Sequence, residues 1–184
     1  MAMTIERPRL GIVAPGFDLP GVDGQTYALS DIMAEKGAVV VFICNHCPYV
    51  KAITERLVAA AVTLRQEGVG FAAICANDAT SHPEDSFENM KLFAMKRGFT
   101  FPYLHDESQA VARAYEAVCT PDFYGIDGEG VIRYRGRLDS GRIDPHPGDV
   151  RPELINAMLA IARGRPAPQR QLPSVGCSIK WKAA

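Results

Sequence analysis

Two cysteines, Cys44 and Cys47, stand three positions apart in the stretch VFICNHCPYV, residues 41–50. An apolar run ends just before them, and a helical pattern follows. If a helix begins directly after Cys44, that residue lies at its N-terminus and Cys47 lies one turn further on. Their α-carbons then fall within the roughly 4.4–6.8 Å that a disulfide requires. The spacing predicts a redox pair, with half of a metal site or two buried thiols as the alternatives.

The same placement gives the two thiols different roles. A helix N-terminus carries partial positive charge and unpaired N–H groups, which stabilise a thiolate by about 0.3–2 kcal/mol. We therefore expect Cys44 to be the attacking thiolate and Cys47 to be the resolving thiol. His46, between them, adds a cationic contribution when it is protonated. Pro48 is compatible with the first helical turn, where its missing N–H has no partner to lose.

A zinc site is the sharper competing hypothesis, because a Cys-x-x-Cys pair supplies half of a structural zinc site. Such a site needs a second pair of ligands at similar spacing. The other cysteines and histidines all occur singly: Cys75, Cys119, Cys177, His82, His105 and His146. We therefore predict neither a metal site nor a bound cofactor.

A strand, a helix and a second strand are predicted around the two cysteines. Residues 37–43 form a near-continuous apolar run with β-branched side chains, which is typical of a strand buried on both faces. Apolar residues then recur every three or four positions from Pro48 to Leu64, and Gly68 ends the predicted helix. Residues 69–75 read as another buried strand. This order predicts a βαβ unit with parallel strands and a right-handed crossover, and hence an α/β fold.

Further elements are predicted along the rest of the chain. Ser81 and Glu84 have the spacing of a capping box ahead of a helix that ends at Gly98. Residues 123–135 are predicted to form a β-hairpin, which adds an antiparallel part to the sheet. Residues 152–163 are predicted to be the last helix.

Composition limits the number of domains and the classes of partner. The chain has 184 residues, 47% of them hydrophobic, which is enough for one good core. We expect one domain over residues 1–165, with residues 166–184 as an extended tail that packs on it. The net charge of -1 gives no electrostatic basis for binding nucleic acid or an anionic membrane. Neither a secretion signal nor a transmembrane segment is recognised, and five cysteines are too few for a secreted disulfide scaffold, so we expect a cytoplasmic protein.

Six longer segments carry more specific information: GIVAPGFDLPGVDG (11–24), CNHCPYVKA (44–52), AND (76–78), FPYLHDESQAVARAYEAVCTPDFYGID (101–127), YRGRLD (134–139) and GCSIKWK (176–182). Together they resemble the thioredoxin-like redoxins, and specifically a peroxiredoxin-like, AhpC/TSA-related group of bacterial proteins. The resemblance implies a thioredoxin fold, with a central mixed β-sheet, helices on both faces and a redoxin-type N-terminal extension. It also implies a cis peptide bond between Thr120 and Pro121, opposite the two cysteines, where it helps to present backbone groups to a bound disulfide or peptide.

The sequence departs from the peroxiredoxin pattern P-x-x-x-T-x-x-C. When that pattern ends on Cys47, Val40 occupies the position of the proline and Cys44 that of the threonine. The tryptophan and the buried acid of thioredoxin are also missing. His46, Asp122 and water are then the candidates that remain to assist Cys47 as a general base.

The function predicted from these motifs is thiol–disulfide exchange, in which the Cys44 thiolate attacks a substrate disulfide and Cys47 resolves the mixed disulfide. Cys177 and Cys119 are candidate accessory redox thiols, with packing as the alternative role for each. The expected partners are a protein or small-molecule disulfide or dithiol and an external thiol reductant, and a homodimer is left open. A peroxiredoxin-like thiol peroxidase is the alternative function, ahead of a metal-binding or non-catalytic module.

Overall fold

Ten strands and five α-helices are present in the computed structural model, which describes residues 2–4, 9–141, 143 and 150–183; His146 lies outside these ranges. The strands are β1 (Ala2–Thr4), β2 (Asp18–Pro20), β3 (Thr26–Ala28), β4 (Ala38–Phe42), β5 (Gly70–Cys75), β6 (Tyr103–His105), β7 (Cys119–Thr120), β8 (Asp122–Ile126), β9 (Ile132–Gly136) and β10 (Val175–Ser178). The helices are α1 (Leu29–Ile32), α2 (Pro48–Gln66), α3 (Phe87–Arg97), α4 (Ala110–Ala114) and α5 (Glu153–Ala162), and Pro83–Asp85 form a 3₁₀ turn.

The central sheet has five strands in the order β6-β5-β4-β8-β9. β4 lies at its centre, parallel to β5 and antiparallel to β8, and all of its residues are buried. Burial on both faces explains why this strand is an unbroken apolar run and not an alternating one. The parallel β4-α2-β5 unit and the antiparallel hairpin of β8 and β9 confirm the predictions made from the sequence.

Helices cover both faces of this sheet. On one face, α2, α3 and α5 pack against the strands, and Leu57 and Met158 are buried there. On the other face, α1, α4 and the N-terminal segment contribute Ile32, Ala112 and Leu19. Each fully buried leucine, isoleucine or methionine side chain stabilises the fold by roughly 1.5–3 kcal/mol, so both faces need their helices. The predicted α/β architecture, a mixed sheet between two helical layers, is confirmed.

α2 begins at Pro48, where the predicted helical pattern begins, with Cys47 as its N-cap. The condition on which the thiol roles were assigned, a helix that starts directly after Cys44, is therefore not met. Proline favours the first helical position and disfavours helical backbone in the residue before it, which explains the extended conformation of Cys47. Cys44 therefore lies in the loop that precedes the helix.

The capping box predicted at Ser81 and Glu84 is wrong. The Ser81 hydroxyl lies 2.9 Å from the Asp78 carboxylate, to which it donates a hydrogen bond. α3 begins later, after Ser86, whose side chain accepts a backbone N–H of the first helical turn. The 3₁₀ turn between these two serines ends at Asp85, whose side chain is fully buried.

A second, three-stranded sheet brings the two ends of the chain together in the order β1-β10-β7. β10 belongs to the segment 166–184 and pairs antiparallel with both neighbours. In this register Cys177 stands opposite Thr120. The C-terminal segment therefore covers the strand that leads into Pro121.

Gly176 marks the closest approach of β10 to β7. A Cβ atom at this position would stand 1.9 Å from the carbonyl oxygen of Thr120, so the strands would have to separate. We expect Gly176→Ala to lower the free energy of unfolding by about 1–3 kcal/mol, because overpacking displaces the backbone. Urea unfolding measures the change. Gly16→Ala is the matched control, since nothing lies within 4 Å of a Cβ atom at that position. Equal unfolding free energies for the two variants would contradict the close approach of Gly176 to Thr120.

Candidate active site

Cys44 and Cys47 lie in and at the end of the short connection between β4 and α2, and neither side chain has solvent-exposed surface. Cys47 caps a helix of 19 residues. Cys44 lies before it, within hydrogen-bonding reach of Thr120, where the two side-chain heavy atoms are 3.4 Å apart. The two thiols therefore have different electrostatic surroundings, although they are close in sequence.

The buried carboxylate of Asp85 holds the loop between the two cysteines. Its Oδ1 accepts the backbone N–H groups of Asn45, at 2.7 Å, and His46, at 3.3 Å. Its Oδ2 accepts the side-chain amide of Asn77, at 2.8 Å, and lies 2.6 Å from the Nδ1 of His46, which donates to it. One side chain thus fixes both residues of the Asn-His dipeptide, and it places a negative charge beside Cys44.

The side chains of the same dipeptide anchor the loop to the rest of the fold. Asn45 donates to the carbonyl of Glu84, at 2.9 Å, and accepts the hydroxyl of Tyr103, also at 2.9 Å. The ring of His46 stacks on that of His82, with 5.1 Å between the ring centroids. His46 was expected to add a cationic contribution when it is protonated, and its Nδ1 is hydrogen-bonded to the Asp85 carboxylate.

Thr120 and Pro121 lie opposite the two cysteines and are joined by a cis peptide bond, as the family resemblance implies. The Cys47 sulfur lies 3.2 Å from the carbonyl oxygen of Thr120. The Thr120 hydroxyl lies next to Cys44, so this one residue contacts both thiols. The structure therefore brings together Cys44, His46, Cys47, Thr120 and Pro121, all of which were predicted site residues.

The surroundings of Cys47 favour its thiolate. A hydrogen bond from the Cys44 thiol is the largest influence, and the Cys177 thiol and the backbone N–H groups of Val50 and Cys177 act in the same direction. Together they outweigh burial and lower the pKa of Cys47 to about 5. Donors at the N-terminus of a long helix are expected to stabilise an anion in this way.

The surroundings of Cys44 favour its thiol. The hydrogen bond that it donates to Cys47, burial and the nearby charge of Asp85 all raise the pKa of Cys44 far above its usual range. Thr120 opposes this assignment in two ways, because its hydroxyl can stabilise a Cys44 thiolate and its carbonyl oxygen faces the Cys47 sulfur. The interaction with Cys47, burial and the Asp85 charge together outweigh Thr120. The surroundings therefore favour a thiolate at Cys47 and a thiol at Cys44.

The two candidate accessory thiols have different environments. Cys177 is partly exposed and stands beside Cys47, whose thiolate together with burial raises the pKa of Cys177 to about 11. Cys119 is fully buried, and burial raises its pKa above the usual range. Its sulfur faces the carbonyl of Pro121 at 3.8 Å, which fits a packing role better than a redox role.

Asp122, a predicted general-base candidate, is engaged elsewhere. Its Oδ2 accepts the Tyr124 hydroxyl at 3.0 Å and the Arg135 guanidinium at 3.2 Å. Burial raises its pKa to about 6, while Arg135 acts in the opposite direction. This side chain therefore belongs to a buried ion pair with Arg135 at the start of β8.

Cys44, His46 and Asp85 also form a group that could hold a metal ion, since one ligand atom from each lies within 4.8 Å of the other two. The carboxylate of Asp85 already accepts four hydrogen bonds from protein groups. A metal ion would have to replace the contact between His46 and Asp85. The arrangement of donors thus fits an organised loop better than a metal centre.

A cavity of about 410 Å³ has Pro121 in its wall. Its apolar lining includes Tyr49 and Ile53 from α2 and Phe123 from β8, while Arg137 and Asp139 add two charged side chains. The cavity therefore offers a mainly apolar surface beside the cis proline.

We expect Asp85→Asn to lower the pKa of Cys44. The amide removes the negative charge beside this thiol but keeps an oxygen that can accept hydrogen bonds from the loop. The measurement is the pH titration of the Cys44 Cβ resonance by NMR in cysteine-labelled protein, in a Cys47→Ser background so that one thiol of the pair is followed. Asp78→Asn is the control, since that carboxylate binds Thr80 and Ser81. An unchanged Cys44 pKa in Asp85→Asn would show that the Asp85 charge does not control the thiol.

Solved structures resemble this one over nearly its full length. An uncharacterized conserved protein from Geobacillus kaustophilus is 46% identical, with a TM-score of 0.92, and the match covers 100% of this chain and 98% of that one. A hypothetical protein from Sinorhizobium meliloti 1021 is 38% identical, with a TM-score of 0.91 and coverages of 98% and 99%. The thioredoxin domain of a thiol-disulfide oxidoreductase from Bacteroides vulgatus is 19% identical, with a TM-score of 0.60 and coverages of 70% and 89%, which shows likeness of fold alone. Among curated proteins, no match is found.

The mixed sheet with helices on both faces has the thioredoxin fold, and it holds the two thiols opposite a cis Thr-Pro bond. The sequence model of the AhpC/TSA family matches residues 10–135, which is more than half of the chain. The chain therefore belongs to the AhpC/TSA family. Within the described residues, none of the helices has both the length and the apolar character required to span a bilayer.

Proposed function

We propose that this protein is a thiol–disulfide oxidoreductase that uses Cys44 and Cys47 as its reactive dithiol. The observation that carries the proposal is the contact of both thiols with Thr120, at 3.4 Å for Cys44 and 3.2 Å for Cys47, beside the cis bond between Thr120 and Pro121. Membership of a redoxin family supports chemistry on thiols. The electrostatics favour a reversal of the roles expected from the sequence, with Cys47 as the attacking thiolate and Cys44 as the resolving thiol.

In the first step, the Cys47 thiolate attacks one sulfur of a substrate disulfide. A bond forms between Cys47 and that sulfur, the substrate S–S bond breaks, and the second substrate sulfur leaves as a thiolate that takes a proton from solvent. The lowered pKa of Cys47 keeps the nucleophile ionised at neutral pH. The rate should therefore be constant from about pH 8 down to about pH 6 and should fall as Cys47 becomes protonated near pH 5.

In the second step, Cys44 resolves the mixed disulfide. Once Cys47 is bonded to substrate, its thiolate no longer accepts the Cys44 proton, so the largest cause of the raised Cys44 pKa is removed. Cys44 then loses its proton to solvent. The Cys44 thiolate then attacks the Cys47 sulfur, the remaining substrate thiolate leaves, and a Cys44–Cys47 disulfide is formed. An external thiol reductant completes the cycle.

Trapping the first intermediate tests this proposal. A Cys44→Ser/Cys177→Ser variant keeps Cys47 and lacks both neighbouring thiols, so incubation with a small aromatic disulfide should give one stable mixed disulfide, located at Cys47 by mass spectrometry. The matched Cys47→Ser/Cys177→Ser variant keeps Cys44 and should react far more slowly. Rapid labelling of Cys44 and not of Cys47 would contradict the assigned roles. No labelling of either residue would contradict the proposal itself.

A thiol peroxidase is the second candidate function, and the ionised Cys47 at a helix N-terminus favours it. This thiolate could attack a peroxide, releasing water or an alcohol and leaving a sulfenic acid at Cys47, which Cys44 would convert to the disulfide with loss of water. Parallel assays of peroxide and disulfide consumption, each with a thiol donor, separate the two functions. Faster turnover of peroxide, together with sulfinic acid at Cys47 under excess peroxide, would favour the peroxidase.

A further inference from the structure

Cys177 gives the site a third sulfur, on strand β10. The antiparallel register places Cys177 opposite Thr120, the residue that contacts both other thiols. Cys177 packs against the buried cluster that contains Cys44 and Cys47, and its thiol and backbone N–H favour the thiolate of Cys47. The close approach of Gly176 to Thr120 holds the strand in this position.

The three sulfur atoms differ in their access to solvent. Cys44 and Cys47 are fully buried, whereas Cys177 is partly exposed. A small disulfide can reach a buried thiol through local motion, but a folded reductant protein has to place its own cysteine against the sulfur that it attacks. Among the three, Cys177 is the sulfur that such a partner reaches first.

We propose that Cys177 is a third redox-active thiol, which takes the disulfide over from the buried Cys44–Cys47 pair and presents it at the surface to an external dithiol protein. The inference rests on the proposed function, because the Cys44–Cys47 disulfide is the species that it consumes. It assigns a role to the C-terminal segment that the Cys-x-x-Cys motif alone does not require.

The transfer is an exchange of one disulfide for another within the chain. Cys177 loses its proton to solvent and attacks the Cys47 sulfur, a Cys47–Cys177 bond forms, the Cys44–Cys47 bond breaks, and Cys44 leaves as a thiolate that takes up a proton. No electrons leave the protein in this step. An external dithiol then attacks Cys177 and releases Cys47, and its second thiol displaces Cys177, so that the dithiol becomes oxidised and all three cysteines are reduced.

The charges around Cys177 suit it to act late in the cycle. In the reduced protein, burial and the neighbouring Cys47 sulfur keep Cys177 in its thiol form. After Cys47 has entered a disulfide, that negative charge is gone, whereas Lys180 remains nearby and favours the thiolate. Cys177 therefore becomes a better nucleophile when there is a disulfide for it to attack.

Disulfide mapping tests the inference directly. A Cys44→Ser variant treated with one equivalent of diamide, a small thiol oxidant, should lose two thiols per chain. Trypsin separates residues 37–51 from residues 171–180, so a Cys47–Cys177 bond joins two peptides and is identified by non-reducing mass spectrometry. The absence of this linked peptide, from the variant and from partially oxidised wild-type protein alike, would overturn the inference.

The matched control moves the thiol by one position. In a Cys44→Ser/Cys177→Ser/Ser178→Cys variant the cysteine count is unchanged, but the thiol points to the opposite face of β10, so the link should be lost. In otherwise wild-type protein, Cys177→Ser should slow reduction by a dithiol protein by at least about tenfold. An equal yield of the link in the control, or an unchanged rate in Cys177→Ser, would refute the role of Cys177.

The mapping distinguishes a failure of this inference from a failure of the proposed function, because diamide oxidises the thiols without any substrate disulfide. A Cys47–Cys177 link in a protein whose Cys47 is not labelled in the trapping experiment supports the third thiol and rejects the oxidoreductase. If Cys47 is labelled in the trapping experiment but no Cys47–Cys177 link forms, the oxidoreductase is supported and the third redox thiol is rejected.

Discussion

Cys47→Ser is expected to reduce the rate of disulfide turnover by about a thousandfold or more, because a serine hydroxyl is not ionised at neutral pH and cannot form the mixed disulfide. The effect should be on the chemical step and not on folding, since serine and cysteine are similar in size and Thr120 offers a carbonyl oxygen to either. The measurement is multiple-turnover reduction of a peptide disulfide with a thiol reductant, together with a thermal unfolding curve.

Two further variants show whether the loss of turnover is specific to Cys47. Cys75→Ala removes another buried thiol, whose pKa burial raises to about 12, and it should keep near wild-type turnover. Cys44→Ser should still complete the first attack, but its turnover depends on how well Cys177 replaces the resolving thiol. Turnover of Cys47→Ser at the level of Cys75→Ala would remove the basis for a reactive Cys47.

Arg135→Met is expected to have the largest effect on stability, about 3–5 kcal/mol, because it leaves a buried carboxylate without its cation. The guanidinium is 3% exposed, donates to Asp122 at 3.2 Å and to the carbonyl of Glu116 at 2.6 Å, and lies 4.7 Å from the ring centre of Tyr124. Equilibrium unfolding in urea measures the loss. A second variant, Arg135→Met/Asp122→Asn, should recover part of it, since the unpaired charge is then absent.

The Arg135→Met loss should depend on pH. The pKa of Asp122 is raised to about 6 from an ordinary value of 3.8, so its contribution to stability is largest below pH 3.8 and is lost as pH rises through 6. Without Arg135 the pKa of Asp122 rises further. The loss of unfolding free energy in Arg135→Met should therefore be smaller near about pH 5 than near about pH 8. Arg133→Met is the matched control on β9: this side chain is 44% exposed, and loss of its pair with Asp127 should cost less than about 1 kcal/mol at either pH. Equal losses for Arg133→Met and Arg135→Met would argue against a buried ion pair.

The sequence was most informative about the elements buried on both faces. Residues 37–43 and 69–75 could be identified as strands because a central parallel pair needs apolar side chains in both directions. The chemistry could be located because a cysteine pair at this spacing follows such a strand. The cis bond before Pro121 was predicted from family resemblance, supported by its place just before a predicted strand, since a trans proline at a strand start would have the same local spacing.

The charge state of the two thiols could not be predicted, because it depends on long-range contacts. Asp85 lies 41 residues after Cys44, in a loop where an aspartate would ordinarily be solvated, and its burial against Asn45 and His46 arises from tertiary packing. Besides the interaction with Cys47 and burial, the Asp85 charge raises the pKa of Cys44, and Cys47, not Cys44, occupies the N-cap before Pro48. These features favour the thiolate at Cys47.

The most direct test of the central claim is a pH titration of the reduced protein labelled with ¹³C at the cysteine Cβ atoms, with each resonance assigned by single substitution. We expect Cys47 to titrate with a midpoint of about 5 and Cys44 to stay protonated throughout the neutral range. Ionisation of Cys44 before Cys47, or a Cys47 midpoint near its ordinary value of 9.0, would contradict it.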